Sequence, residues 1–217
     1  MQRRQAGFSF VEILVVMSII VVLAGMVTVI VPTIQEKGRQ TDSLNNVRNL
    51  ALLLTGEKSD RGWPPYNGKG FVLSLVPAGH IDARNKDNMR VFFSKGDATL
   101  RFDLVDPEQY REISFQALKQ GSADFNELTS YAGRRNAEPE YRITPDKESM
   151  VVPIICDDDY GNLHHPRGMV MAFTDGSTRF VQWRDLDMAP PEEVDGEVDP
   201  FLADDAPVDK LAGLSND

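Results

Sequence analysis

The chain has 217 residues, a formal net charge of -10, 41% hydrophobic residues and 26% charged ones. That length suits one domain plus appendages, at roughly 100–200 residues per domain, and the composition supports a packed core rather than wholesale disorder. A single cysteine, Cys156, excludes an intramolecular disulfide framework; three histidines leave little material for structural zinc, and the acidity argues against a nucleic-acid binder.

The N-terminus carries the dominant feature. Arg3 and Arg4 stand in a short leader that ends at Gly7, and no acidic residue occurs before Glu12. Ile13–Val31 is then a run of 19 residues without a charge, rich in Ile, Val, Leu and Met. A helix of about 20 residues crosses a hydrocarbon core of ~30 Å, so this run is a membrane-span candidate. The positive-inside rule places its N-terminal end in the cytoplasm and the remainder outside. Pro32-Thr33-Ile34 follows and offers no good signal-peptidase site.

A basic leader, Gly7, then Phe8-Ser9-Phe10-Val11-Glu12 and an apolar helix closely resembles the type IV prepilin signal. That family includes type IV pilins and the pseudopilins of type II secretion systems. The resemblance implies cleavage by prepilin peptidase between Gly7 and Phe8, and N-methylation of Phe8. It also implies that Glu12 pairs with the N-terminal amine of a neighbouring subunit and aligns stacked helices. A carboxylate in hydrocarbon costs roughly 2.5–3.5 kcal/mol on insertion scales and persists where something compensates it. The alternative is a carboxylate at the membrane interface, favoured there by the helix dipole.

Pro32 predicts an end or a kink in the helix. Leu44, Val47, Leu50, Ala51 and Leu54 recur at helical spacing beyond it, so an amphipathic continuation is expected over residues 32–55, with Gly56 as C-cap. The glycines and prolines of residues 56–70 mark a loop. Gly62 to Lys69 superficially matches a phosphate-binding loop but fails its spacing and lacks its Ser or Thr. Phe71–Val76 reads as a short buried helix. Met89–Phe93, Thr129–Ala132 and Met150–Cys156 are strand candidates, the last one central. Asp106-Pro107-Glu108 opens a helix that Gly121 stops.

Gly168–Thr174 and Ser177–Trp183 flank Asp175-Gly176, which predicts a hairpin with a type I′ turn. Strands in succession with helices set apart indicate α+β with an antiparallel sheet. With the pilin resemblance, the expected fold is a long N-terminal transmembrane and amphipathic helix packed on a small sheet domain. The boundaries are a leader at 1–7, an assembly helix at 8–31, its continuation at 32–55, a globular domain at 56–184 and a tail at 185–217. His165, nine residues and Asp175-Gly176 also resemble a C-terminal motif of planctomycete-type pilin-like proteins, of unassigned role. The stretch Leu128–Asn136 is similar to the same group.

The tail holds 11 acidic residues and one basic one, the whole excess charge of the chain. It reads as solvated and mobile, with cation or basic-partner binding as the alternative. Asp157-Asp158-Asp159-Tyr160-Gly161-Asn162, with Asp175, is the densest set of hard oxygen donors and could hold calcium. A turn facing water is the competing account. His164 and His165 could bind a transition metal, but neighbours on a strand face opposite ways, and a hydrogen bond from His165 to the Asp175 hairpin is the simpler expectation. Arg134-Arg135 could meet an acidic partner or sit on a solvated turn. No catalytic motif is present, so an enzyme is not expected.

These readings converge on a structural subunit of a type II secretion pseudopilus or type IV pilus-like filament. Its expected partners are prepilin peptidase, other pilin-like subunits and an inner-membrane assembly platform. The second reading is a single-pass anchored periplasmic domain that binds a ligand or metal and never assembles.

Overall fold

The computed structural model describes residues 9–95, 102, 105–121, 125, 128–148, 151–157, 165, 167–186 and 214–215. The chain divides into two units, Met1–Gly38 and Arg39–Asp217.

In the first unit the apolar run is helical, and its side chains from Ile13 to Met26 are unburied. Helix α1 begins at Phe10 and continues to Arg61. Ile13 to Leu23 and Met26 expose their large apolar side chains. Such a helix passes the length and composition test for a membrane span, and hydrocarbon is the solvent that removes its cost. Pro32 lies inside α1 and does not end it. The true stop is Gly62, at φ 85°, whose N–H bonds to Lys58 O. Gly62 supplies the left-handed residue that closes a helix, so the expected boundary at Gly56 is six residues early.

The second unit is α+β. Residues of α1 from Val47 to Leu54 put Val47, Leu50, Ala51 and Leu54 into its core. Helix α2 spans Gly68–Leu73, earlier than the expected 71–76, and all six of its residues are buried. The expected strand at 89–93 is instead a 3-10 helix, Lys86–Phe92, opened by Asn85, whose side chain accepts the Asp87 N–H. Met89 and Phe92 are three apart, and three residues per turn brings both onto the buried face. The helix expected from Asp106 is two helices, α3 (Pro107–Arg111) and α4 (Phe115–Gln120). Ser114 breaks them by capping the Ala117 N–H, which restarts the helix. Helix α5 covers Pro145–Glu148.

Among the described residues five strands form one antiparallel sheet in the order β4-β3-β2-β1-β5. They are β1 (Ala132–Arg134), β2 (Pro153–Cys156), β3 (Gly168–Phe173), β4 (Thr178–Gln182) and β5 (Leu214–Ser215). β2 is central, as its apolar run implies. β1 starts three residues later than expected because Thr129 is occupied locally: its hydroxyl donates to Phe92 O and accepts the Tyr131 N–H.

The sheet is apolar on both faces, which explains the unalternating runs of β2 and β3. Ile154, Ile155, Val170 and Ala172 join the core that holds α1 and α2. Ala132, Cys156, Met169, Met171 and Phe173 form a second cluster, closed by Trp183, Leu186 and Leu214. The last of these is the clearest departure from the sequence reading. Leu214 is 1% exposed and pairs opposite Arg134, so residues 214–215 of the expected mobile tail belong to the sheet. Residues 187–213 lie outside the described residues.

The β3–β4 hairpin forms at Asp175-Gly176, but the turn is not type I′. Gly176 has φ 79° while Asp175 does not take positive φ. Gly176 N–H bonds to Phe173 O and Phe173 N–H to Ser177 O. This is the three-residue loop with a glycine bulge, in which one left-handed residue suffices. Asp175 contributes by accepting the Ser177 N–H.

Candidate functional site

Two sets of residues carry the functional expectations. The first is the start of α1. Ser9 Oγ accepts the Val11 N–H at 3.3 Å, and Glu12 Oε2 accepts the Ser9 N–H at 2.7 Å. This reciprocal pair is a capping box, Ser-x-x-Glu, legible in the sequence as Ser9-Phe10-Val11-Glu12 and missed there because Glu12 was read by its charge alone. One carboxylate oxygen thereby satisfies a backbone donor that hydrocarbon would leave bare. The carboxylate stays exposed on a helix of exposed apolar side chains. Gly7 and Phe8 lie outside the described residues.

The second set surrounds His165. Its ring is 1% exposed, and Asp157 and Ser43 are fully buried. His165 Nε2 is hydrogen-bonded to Ser43 Oγ at 3.3 Å and lies 3.0 Å from Asp157 Oδ2. Asp157 Oδ1 accepts the Val170 N–H at 2.6 Å, and Ser43 Oγ is 2.9 Å from Ser94 Oγ. The ring also meets Phe180 of β4 edge-on, with centroids 5.8 Å apart. His165 therefore reaches the hairpin through Phe180, not through the expected bond to Asp175. Ser43 is 122 positions away, and no local sequence signal announces it.

Asp, His and Ser in contact invite comparison with a nucleophilic relay. A relay places the carboxylate on one ring nitrogen and the hydroxyl on the other, with the hydroxyl open to substrate. Here both contacts converge on Nε2, and Ser43 has no exposure. What the arrangement can do is tie α1, the end of β2 and the segment before β3 into one buried polar network.

The calcium candidates divide. Asp157 faces the start of β3, through its backbone bond to Val170, whereas Asp175 follows the far end of that strand. Five residues at roughly 3.4 Å each separate those levels, too far for one ion. Asp158, Asp159, Asn162 and His164 lie outside the described residues. Among the described residues no group of three His, Cys, Asp or Glu side chains is gathered for a metal.

One further expectation is corrected. Arg134 is buried, not on a solvated turn, and donates to Tyr141 O at 2.9 Å and Pro153 O at 3.2 Å. Burial pushes its guanidinium below the usual arginine range. Arg135 instead pairs with Glu138 at 3.0 Å and lies over the Tyr141 ring. A groove of about 400 Å³ runs beside Pro64, Pro65, Tyr66 and Phe115. Its carboxylate, Glu57, is already engaged by His80 at 2.6 Å and Arg61 at 3.6 Å. Burial, with Glu57 nearby, raises the Tyr66 phenol above its ordinary value.

Compared with known families, residues 2–28 match the model of the prokaryotic N-terminal methylation motif. The matched segment contains Gly7, Phe8 and Glu12, so the chain carries a type IV pilin-like signal. No curated protein and no solved structure matches the chain.

Proposed function

We propose that this protein is a structural subunit of a pilin-like filament, stored in the cytoplasmic membrane and assembled through α1. The observation that carries the reading is the coincidence of the methylation motif at residues 2–28 with a helix whose apolar side chains are exposed. Prepilin peptidase cuts between Gly7 and Phe8 on the cytoplasmic side, and Phe8 is N-methylated. The domain after Gly38 then stands on the periplasmic face and decorates the filament. A secretion pseudopilus fits better than a surface pilus with a C-terminal disulfide loop, because Cys156 is single and buried.

Assembly exchanges lipid for neighbouring helices around Phe10 to Met26. Lipid tails are as apolar as leucine, so packing and polar contacts decide the association. Glu12 supplies the polar contact. In the isolated chain it accepts the Ser9 N–H, and in the filament it also meets a neighbour's N-terminal amine. Platform proteins and other pilin-like subunits act on the same segment.

Intact mass of protein from its native membrane tests the reading. A chain beginning at N-methylated Phe8 is expected; a chain beginning at Met1, or cut beyond Val31, overturns it. Glu12→Ala is expected to leave the cut intact and reduce filament yield tenfold or more, scored by sheared-fraction immunoblot. Unchanged yield removes Glu12 from assembly.

A further inference from the structure

We propose that the groove beside Pro64, Pro65, Tyr66 and Phe115 binds the C-terminal end of a peptide, taking an apolar last side chain against its rings and the terminal carboxylate at its basic rim.

The walls are apolar and already fixed. Tyr66 and Phe115 stack with centroids 6.4 Å apart and planes 13° apart, and Phe115 is 41% exposed. Pro64 and Pro65 continue the surface. Asn136 donates its side-chain amide to Pro64 O at 2.7 Å and its backbone N–H to Tyr66 O at 3.1 Å. The proline rings lock their own φ. Such a groove needs no ordering before a ligand enters, which lowers the cost of binding.

The charges select an anion. Tyr66 is 6% exposed, yet its hydroxyl makes no hydrogen bond among the described residues. Burial, with Glu57 nearby, keeps that phenol protonated, so it is a donor. Lys119 lines the groove, is exposed and has no ion pair among the described residues. Arg61 meets Glu57 at 3.6 Å and keeps further N–H groups for a ligand. Glu57 is also held by His80 at 2.6 Å, so its charge is compensated and that of Lys119 is not. A carboxylate takes charge-assisted hydrogen bonds from the Lys119 ammonium and the Tyr66 hydroxyl.

The shape selects a chain end. At about 400 Å³ the groove is near the lower end of small-molecule sites, and it is not enclosed. It therefore holds one terminal side chain and its carboxylate while the rest of a peptide stays in water. Pro64 and Pro65 have no N–H, and Asn136 occupies the Pro64 and Tyr66 carbonyls, so this wall offers a passing strand no ladder. Capture of a terminal carboxylate is the mode of peptide recognition left. The inference does not depend on filament assembly.

Fluorescence anisotropy on the full chain in lipid nanodiscs tests it, with empty nanodiscs as the blank. The probe is fluorescein-Gly-Ser-Gly-Ser-Leu-Phe with a free C-terminus or a C-terminal amide. The free acid is expected to bind saturably and about tenfold or more tighter than the amide, the worth of a charge-assisted hydrogen bond. Lys119→Gln and Tyr66→Phe are each expected to weaken it about fivefold or more. Lys119 is exposed and Tyr66→Phe keeps the ring, so both variants fold, which matching thermal midpoints verify. No saturation, equal affinity of acid and amide, or indifference to both substitutions overturns the proposal. So does hydrocinnamate competing as strongly as the unlabelled peptide, because the groove then takes a free acid and not a chain end.

Discussion

His165 shows how a single side chain can look functional in a sequence and be structural in the fold. Its Nε2 holds Ser43 and faces Asp157 in a space without solvent. Removing one polar member of such a buried network leaves its partner unsatisfied, which costs about 1–3 kcal/mol. His165→Ala is therefore expected to lower domain stability by about 1–3 kcal/mol in urea titration. A change below about 0.5 kcal/mol would show that the network is not holding α1. Glu148 makes the complementary case near the surface. Burial pushes its carboxyl up, but hydrogen bonds from Trp63 and Lys58 and the Lys58 charge outweigh this and hold it below 4.5. A carboxyl lowered on folding contributes stability above its unfolded value and loses it as pH falls through the folded one. Stability is therefore expected to fall as pH drops below about 4.5, and Glu148→Gln is expected to flatten that limb. The measurement is thermal midpoint against pH for both chains. Capping at Ser9 and Glu12 was readable, being four residues long. Ser43 with His165 was not, because contact across 122 positions leaves no periodicity to find.

Elements were legible where one local rule dominated and illegible where two competed. The apolar length of α1, the continuous run of β2 and the Asp175-Gly176 hairpin each had one strong signal. The segment 106–121 had two: helical spacing suggested one helix, while Ser114 offered a second cap and won. Met89–Phe93 was short and apolar, which does not separate a strand from a 3-10 turn. Contact between elements was less legible still. An added Cβ at Gly133 would sit 2.1 Å from Gly68 O, so α2 approaches β1 too closely for any side chain there. The clash is with backbone, which cannot rotate away. Gly133→Ala is expected to cost more than 2 kcal/mol, at the upper end of point-mutation effects, read as a drop in thermal midpoint. Ser114→Ala is expected to cost about 1 kcal/mol, the usual worth of an N-cap. An equal cost for both would mean that the approach of α2 relaxes freely.

At the scale of the whole molecule, the helix boundary and the domain boundary differ. One helix runs from Phe10 to Arg61, yet the units divide after Gly38. The sequence reading bounds the globular domain at residue 56 and has the amphipathic half of the helix pack on it. The core carries that packing: Val47, Leu50, Ala51 and Leu54 are at most 1% exposed and belong to the main apolar cluster. Loss of one buried leucine costs about 2–5 kcal/mol, and a whole domain is stable by about 5–15 kcal/mol. Two leucines, a valine and an alanine from one face are thus comparable to the entire margin. A chain starting at Arg39 is expected to be soluble and to unfold cooperatively, because it keeps that face and discards the exposed apolar one. A chain starting at Gly56 is expected to lack a cooperative transition. Circular dichroism melts of the two decide the point. A folded chain from Gly56 would mean that the sheet and its two apolar clusters stand without α1, and that the helix serves the membrane alone.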